Sequence, residues 1–203
     1  AFSKAQADHS LRQKIRLMGQ ANFSFDPHNL IEPGQHKILL DEYQLPDLDD
    51  LISSVTHTHD QDRGVAFHCV TPVELTLALA ALQGAGLHPD DRLEHVFECY
   101  EDHLALICEL GVTVITQPGL IYTRGDQYLQ DVGDQLHVHR LRSFMEAGIP
   151  IAASSDAPYG DTNPWLGIHA ASCRKTRSGY SMGEAQAVDT NAALDLYLGN
   201  LNQ

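Results

Sequence analysis

The sequence has no apolar stretch approaching the roughly 20 residues needed to cross a bilayer, which argues against a membrane-spanning helix. Its opening, Ala1-Phe-Ser-Lys-Ala, lacks the charged and apolar regions of a secretory signal, so it gives no address. Basic residues are scarce. With 13 Lys plus Arg against 27 Asp plus Glu, the formal charge of −14 would repel a phosphate backbone, and nucleic acid is not an expected partner. The acidic surplus fits a soluble surface or a salty habitat. Cys69, Cys99, Cys108 and Cys173 form no C-x-x-C pair, so neither a zinc ribbon nor a disulfide framework is indicated, and a reduced, cytoplasmic setting is expected. There is no low-complexity tract and no Gly-rich phosphate loop, and Ser154 and Ser155 lack the G-x-S-x-G turn of a hydrolase elbow.

What remains is a chain of 203 residues, 43% hydrophobic, long enough for one sizeable core, and a single domain over 1–203 is expected. Strands are predicted at 15–19, 36–41, 64–70, 92–97, 112–118 and 149–156, from β-branched and apolar runs. Leu48, Leu51, Ile52 and Val55 follow the spacing of one helix face, and Leu75, Leu79 and Leu82 mark another. Thr71 as N-cap, Pro72 in the first turn and Glu74 closing a capping box start the second helix, and Gly84 and Gly86 end it. Further helices are predicted at 101–110, about 134–147 and 182–198, while Gly119 to Gly133 reads as a long polar and aromatic insertion after a strand. The βα repeat implies an α/β fold with a parallel sheet or barrel.

Three of the strands end in chemically capable side chains: Gly64-Val-Ala-Phe-His68-Cys-Val, Arg92-Leu-Glu-His95-Val-Phe and Ile149-Pro-Ile-Ala-Ala-Ser-Ser-Asp156-Ala-Pro. Ligands and catalysis gather at the carboxyl ends of parallel strands. One histidine on an apolar strand is ordinarily a hydrogen-bonded core residue, but two histidines and an aspartate repeating one architectural position are donors for a divalent metal, most readily zinc, and for a proton on its bound water. A Cys69/His68 nucleophilic dyad fails because neighbours on a strand face opposite sides. His57-Thr-His59 and His137-Val-His139 are read as helix-face pairs whose rings point about 200° apart and cannot grip one ion.

The sequence resembles the amidohydrolase superfamily of metal-dependent (β/α)8 barrel hydrolases, especially its amidohydrolase family 3-like branch. The resemblance rests on Gly34-Gln-His-Lys37-Ile-Leu-Leu-Asp41, Val65-Ala-Phe-His68, Asp91-Arg-Leu-Glu-His95, Gly111-Val-Thr-Val-Ile-Thr-Gln117-Pro118 and Gly148-Ile-Pro-Ile-Ala-Ala-Ser-Ser-Asp156-Ala-Pro158, in the family's order. It implies a TIM-like barrel, here incomplete: strands 3 to 8 are represented, and strands 1 and 2 and the small β domain are absent. Lys37 would match the strand 4 lysine that is often carboxylated and bridges two metals, although by itself it reads as a snorkelling amine paired with Asp41 or Glu42. His68 and His95 would match the strand 5 and 6 ligands, and Asp156 the strand 8 aspartate that moves the proton. Gln117, Tyr122, Arg124, Tyr128 and Arg174 would face a small-molecule substrate. Hydrolysis of carbon–nitrogen bonds other than peptide bonds is the implied activity. The family's H-x-H pair on strand 1 has no counterpart here, and Asp41-Glu42 stands where Asp-Gly is usual. Open sheet edges imply a homo-oligomer or association with the missing barrel segment. Two alternatives stay open: a non-catalytic partial-barrel assembly module, and a mononuclear deaminase-type enzyme using His95 and Asp156.

Overall fold

In the computed structural model, residues 2–23, 30–131 and 137–198 are described. Six strands, β1 (Ile15–Gly19), β2 (Ile31–Leu39), β3 (Val65–Cys69), β4 (Arg92–His95), β5 (Thr113–Thr116) and β6 (Ile151–Ala153), make one sheet in sequence order. Every neighbouring pair is parallel. The helices are α1 (Phe2–Ala7), α2 (Leu48–His59), α3 (Pro72–Ala85), α4 (Glu101–Leu110), α5 (Gly119–Asp131), α6 (Leu141–Glu146), α7 (Pro164–Cys173) and α8 (Thr190–Leu198). Among the described residues β1 and β6 each pair on one side only, so the sheet is an open, curled part of a (β/α)8 barrel with strands 3 to 8 represented by β1 to β6. No described helix is long and apolar enough to cross a membrane.

Side-chain alternation sorts the sheet into two faces. Val65, Phe67 and Cys69 of β3, Leu93 of β4 and Val114 of β5 bury against Leu51 and Val55 of α2 and Leu75, Leu79 and Leu82 of α3, forming the main core. The opposite face carries Lys37, His68, Arg92, Glu94 and Ile115, which line a hollow on the inner side of the sheet. That division places polar chemistry inside the curl and fat outside it.

Two local devices fix the strand ends. Thr71 Oγ1 accepts from the Glu74 backbone N–H while Glu74 Oε2 accepts from Thr71 N–H, the capping box read from the sequence. The same carboxylate also takes the N–H groups of Val70 and Glu42, tying the tops of β3 and β2 to the start of α3. At the lower end, Asp91 Oδ1 accepts from Val65 N–H and contacts His59 Nε2, and Oδ2 accepts from His88 N–H.

Four expectations need correction. Gly119 to Gly133 is no loop: Gly119–Asp131 is α5, a helix that buries only Leu120, Ile121 and Gly125 and therefore shows little periodic apolar signal. The helix expected from about 134 begins at Leu141, with residues 132–136 outside those described. His137 and His139 do not share a helix face: His137 is in a 3-10 turn, Val138 forms an antiparallel bridge with Glu98, and His139 has φ of 45°. The closing helix starts at Thr190, preceded by a short 3-10 turn at Glu184–Gln186.

Candidate active site

His68 and His95 come from adjacent strands, and strand register alone would not bring them together. Cys69 lies level with His95 and His68 with Glu94. Alternation therefore puts His68 and Glu94 inside and would send His95 outward with Leu93. The backbone reverses it: His95 has φ of 74° and Val96 of 44°, left-handed values that a β-branched residue takes only under constraint. The imidazole turns inward, and the two rings meet edge to face with centroids 4.4 Å apart. Such departures cluster at functional sites, and here Asp156 (φ 54°) and His139 (φ 45°) share the habit and the cavity.

That cavity, about 370 Å³, opens where the strands end, and His68, His95, Gln117 and Asp156 lie on its boundary with the inner hollow. His95 Nδ1 donates to Gln117 Oε1 at 2.8 Å, while Gln117 Nε2 donates to Ser154 Oγ and to the Ile115 carbonyl. Burial pulls the His68 imidazole below its ordinary range, with His95 and Lys37 adding to the effect against Glu74 and Asp156. Lys37 is lowered chiefly by burial, opposed by the Glu94 carboxylate. Glu94 Oε1 is 2.7 Å from Arg92 Nε on the same strand face, an ion pair without hydrogen-bond alignment.

Of the residues expected to face substrate, Gln117 and Tyr128 line the cavity. Arg124 does not; it lies over the Tyr159 ring, 4.3 Å from its centroid, and reaches the Tyr159 carbonyl. The Tyr122 ring lies beneath Arg177 at 5.7 Å. Arg174 is fully buried and does not line the cavity; its guanidinium donates to the carbonyls of Val138, His139 and Met182, so it braces the loop. Five cavity residues escaped the sequence reading: the apolar Val70, Phe97 and Leu120, together with His139 and Tyr159. His139 was assigned to a helix face, and Tyr159, which follows Asp156-Ala-Pro, carried no periodic signal at all.

A divalent metal can be tested against this donor set. Two imidazoles at 4.4 Å with a carboxylate on the same cavity are the right chemistry for zinc. The number is short: among the described residues no three His, Cys, Asp or Glu side chains converge as a cage. The pair and the carboxylate fit part of a metal site.

A parallel βα curl with histidines and an aspartate at its strand ends defines a protein of the TIM-barrel hydrolase class. The amidohydrolase family matches residues 4–200, and the chain belongs to it. An N-substituted formamide deformylase from Arthrobacter pascens is 29% identical over 112 residues, which cover 54% of this chain and 21% of that protein. A metal-dependent hydrolase of Pyrococcus furiosus superposes with a TM-score of 0.80 at 20% identity, over 97% of this chain and 47% of that one. A counterpart from Pyrococcus horikoshii OT3 gives 0.75 at 22% identity, over 96% and 42%. The chain thus spans less than half the length of the proteins it matches.

Proposed function

We propose that this chain carries part of a metal-dependent hydrolase site that cleaves carbon–nitrogen bonds other than peptide bonds, in amides, cyclic amides or N-acyl compounds. The observation that carries this reading is the meeting of the His68 and His95 rings beside Asp156, produced by left-handed backbone at the very residues that need to turn inward. A bound divalent ion, zinc by the nature of these donors, would lower the pKa of a water toward neutrality and polarise the carbonyl.

The chain's own residues do the rest. His68 and His95 hold the ion through ring nitrogens, and Gln117 fixes the His95 ring. Asp156 takes the proton from the attacking water and passes it to the leaving nitrogen, so that water divides into the hydroxyl of the acid product and a hydrogen of the amine. Lys37, desolvated on the inner face, would take up carbon dioxide as a carbamate, releasing a proton, and supply a further oxygen ligand.

Zinc titration of the purified chain, read by metal content after gel filtration, tests this together with amine release from an amide panel. Stoichiometric zinc that falls in His68→Ala and His95→Ala supports the reading. Zinc absent at saturating supply, or amine release indifferent to Asp156→Asn, overturns it.

A further inference from the structure

We propose that the cavity beside His68 and His95 receives an uncharged, ring-sized apolar substituent of the substrate and rejects a carboxylate there. This deepens the reading above and rests on it for the identity of the scissile group.

The cavity walls are apolar and come from separate parts of the chain. Val70 follows β3, Phe97 follows β4, and Leu120 and Tyr128 stand on α5, with the Phe97 and Tyr128 rings 4.7 Å apart. A volume of about 370 Å³ lies within the range of roughly 300–1,000 Å³ that small-ligand pockets occupy, which is ample for a phenyl ring. Hydrophobic and aromatic walls of this kind recognise shape and area rather than charge.

The polar groups of the cavity argue the same way. Among the described lining residues no lysine or arginine appears, and the formally charged side chain is Asp156. Arg124 is stacked on Tyr159 and Arg174 is bonded to three carbonyls, while Lys37 and Arg92 line the inner hollow on the other side of His68 and His95 and not this cavity. A substrate carboxylate set against the wall of Val70, Phe97, Leu120 and Tyr128, away from the metal-holding histidines, would lose its water with no basic side chain in the lining to replace it. His139 does not supply that cation, since burial keeps its imidazole neutral. It offers instead one buried nitrogen, Nε2, that has no partner, a fitting anchor for a neutral polar atom on the ring.

The proposal separates substrates that the family reading leaves together. Aryl or aralkyl amides would be accepted, and N-acyl compounds with an ionised carboxylate on the same substituent would be refused.

Binding of three probes to the purified, zinc-supplied chain by isothermal titration tests it: N-phenylacetamide, its 4-carboxylate, and acetamide. N-phenylacetamide is expected to bind about tenfold or more tightly than either of the others. Leu120→Trp and, independently, Val70→Phe should fill the cavity and abolish that preference, each variant first shown by its melting curve to be folded. Equal binding of the 4-carboxylate, an unchanged preference in both filled variants, or no binding of any probe overturns the inference. Preference without hydrolysis would sink the catalytic reading alone, and zinc-dependent hydrolysis without preference would sink this inference alone.

Discussion

Gln117 Oε1 accepts a hydrogen bond from His95 Nδ1 at 2.8 Å, and the Gln117 amide cannot turn over, because its Nε2 is engaged by Ser154 Oγ and the Ile115 carbonyl. An oxygen that can only accept fixes the proton on Nδ1 and leaves the Nε2 lone pair of His95 for a ligand. Gln117→Leu keeps the side-chain bulk and frees the imidazole. Zinc affinity should fall about 10- to 100-fold, as it does when outer-shell partners of ligating histidines are lost, and competition with a chelating dye measures it. An unchanged affinity would show that His95 needs no orienting partner.

His139 makes stability fall with acid. Its pKa is pushed from 6.5 to about 3 by burial first, with Arg174 and then His95 adding to the effect. An unfolded chain takes up this proton below pH 6.5 while the folded one does not until about pH 3. Stability present above pH 6.5 is therefore lost as pH falls through that window, at up to about 1.4 kcal/mol per pH unit. Between pH 7 and pH 5 this amounts to roughly 2 kcal/mol. His139→Phe should show a correspondingly smaller loss in urea unfolding over the same interval, with the other histidines common to both proteins. Equal losses would mean that His139 is protonated in the folded state.

Glu74 and Thr71 share one capping box but not one burden. Thr71→Ala removes a long 3.4 Å cap bond to Glu74 N–H and should cost about 1 kcal/mol. Glu74→Ala strands three N–H groups, those of Val70, Thr71 and Glu42, around a nearly buried carboxylate. That loss should cost roughly 2 kcal/mol or more in urea unfolding, because the partly buried donors of Val70 and Thr71 each bear a desolvation penalty, while that of exposed Glu42 turns to water. Similar costs for the two variants would show that the carboxylate acts only as a helix cap.

The readable and unreadable parts of this fold differ in physics. Strand positions were legible because β3, β4 and β5 are short buried runs whose side chains face a helix layer, as Val65, Phe67, Leu93 and Val114 do. The capping box at Thr71 was legible because it is a local pattern of side chain and backbone. Helix α5 was not, since its contact with the rest of the molecule is made partly by a glycine. A Cβ on Gly125 would sit 2.7 Å from Thr176 Cγ2, so the position that approaches the next layer most closely carries no apolar side chain to reveal it. His68, His95 and Asp156 could be picked out by their place at strand ends. The inward turn of His95 could not, because alternation predicts the opposite face and a left-handed φ at a histidine leaves no mark in composition. His139 was missed for a related reason: it reaches the cavity from an extended segment bridged to Glu98 rather than from a helix.

Arg174 is where the segment that presents His139 to the cavity is secured, although the family resemblance set it against the substrate. Its Nε donates to the Met182 carbonyl at 2.8 Å, and its two terminal nitrogens to those of His139 and Val138 at 3.0 Å each, joining the end of α7 to the segment that presents His139. Burial holds the guanidinium down to about 10, still charged at neutral pH. Arg174→Met would fit the space but leave the Val138 and Met182 carbonyls without their side-chain donor, while that of His139 keeps the Leu141 N–H, and should destabilise the chain by about 2 kcal/mol or more. Arg174→Lys keeps the charge but cannot span three diverging acceptors with one ammonium, so it should recover only part of that loss. Urea unfolding of the two variants, with the His139 ring signals followed by NMR, separates bracing from ligand contact. Large destabilisation with shifted His139 resonances is expected in both. A variant that stays stable and loses only affinity for an amide would return Arg174 to the substrate.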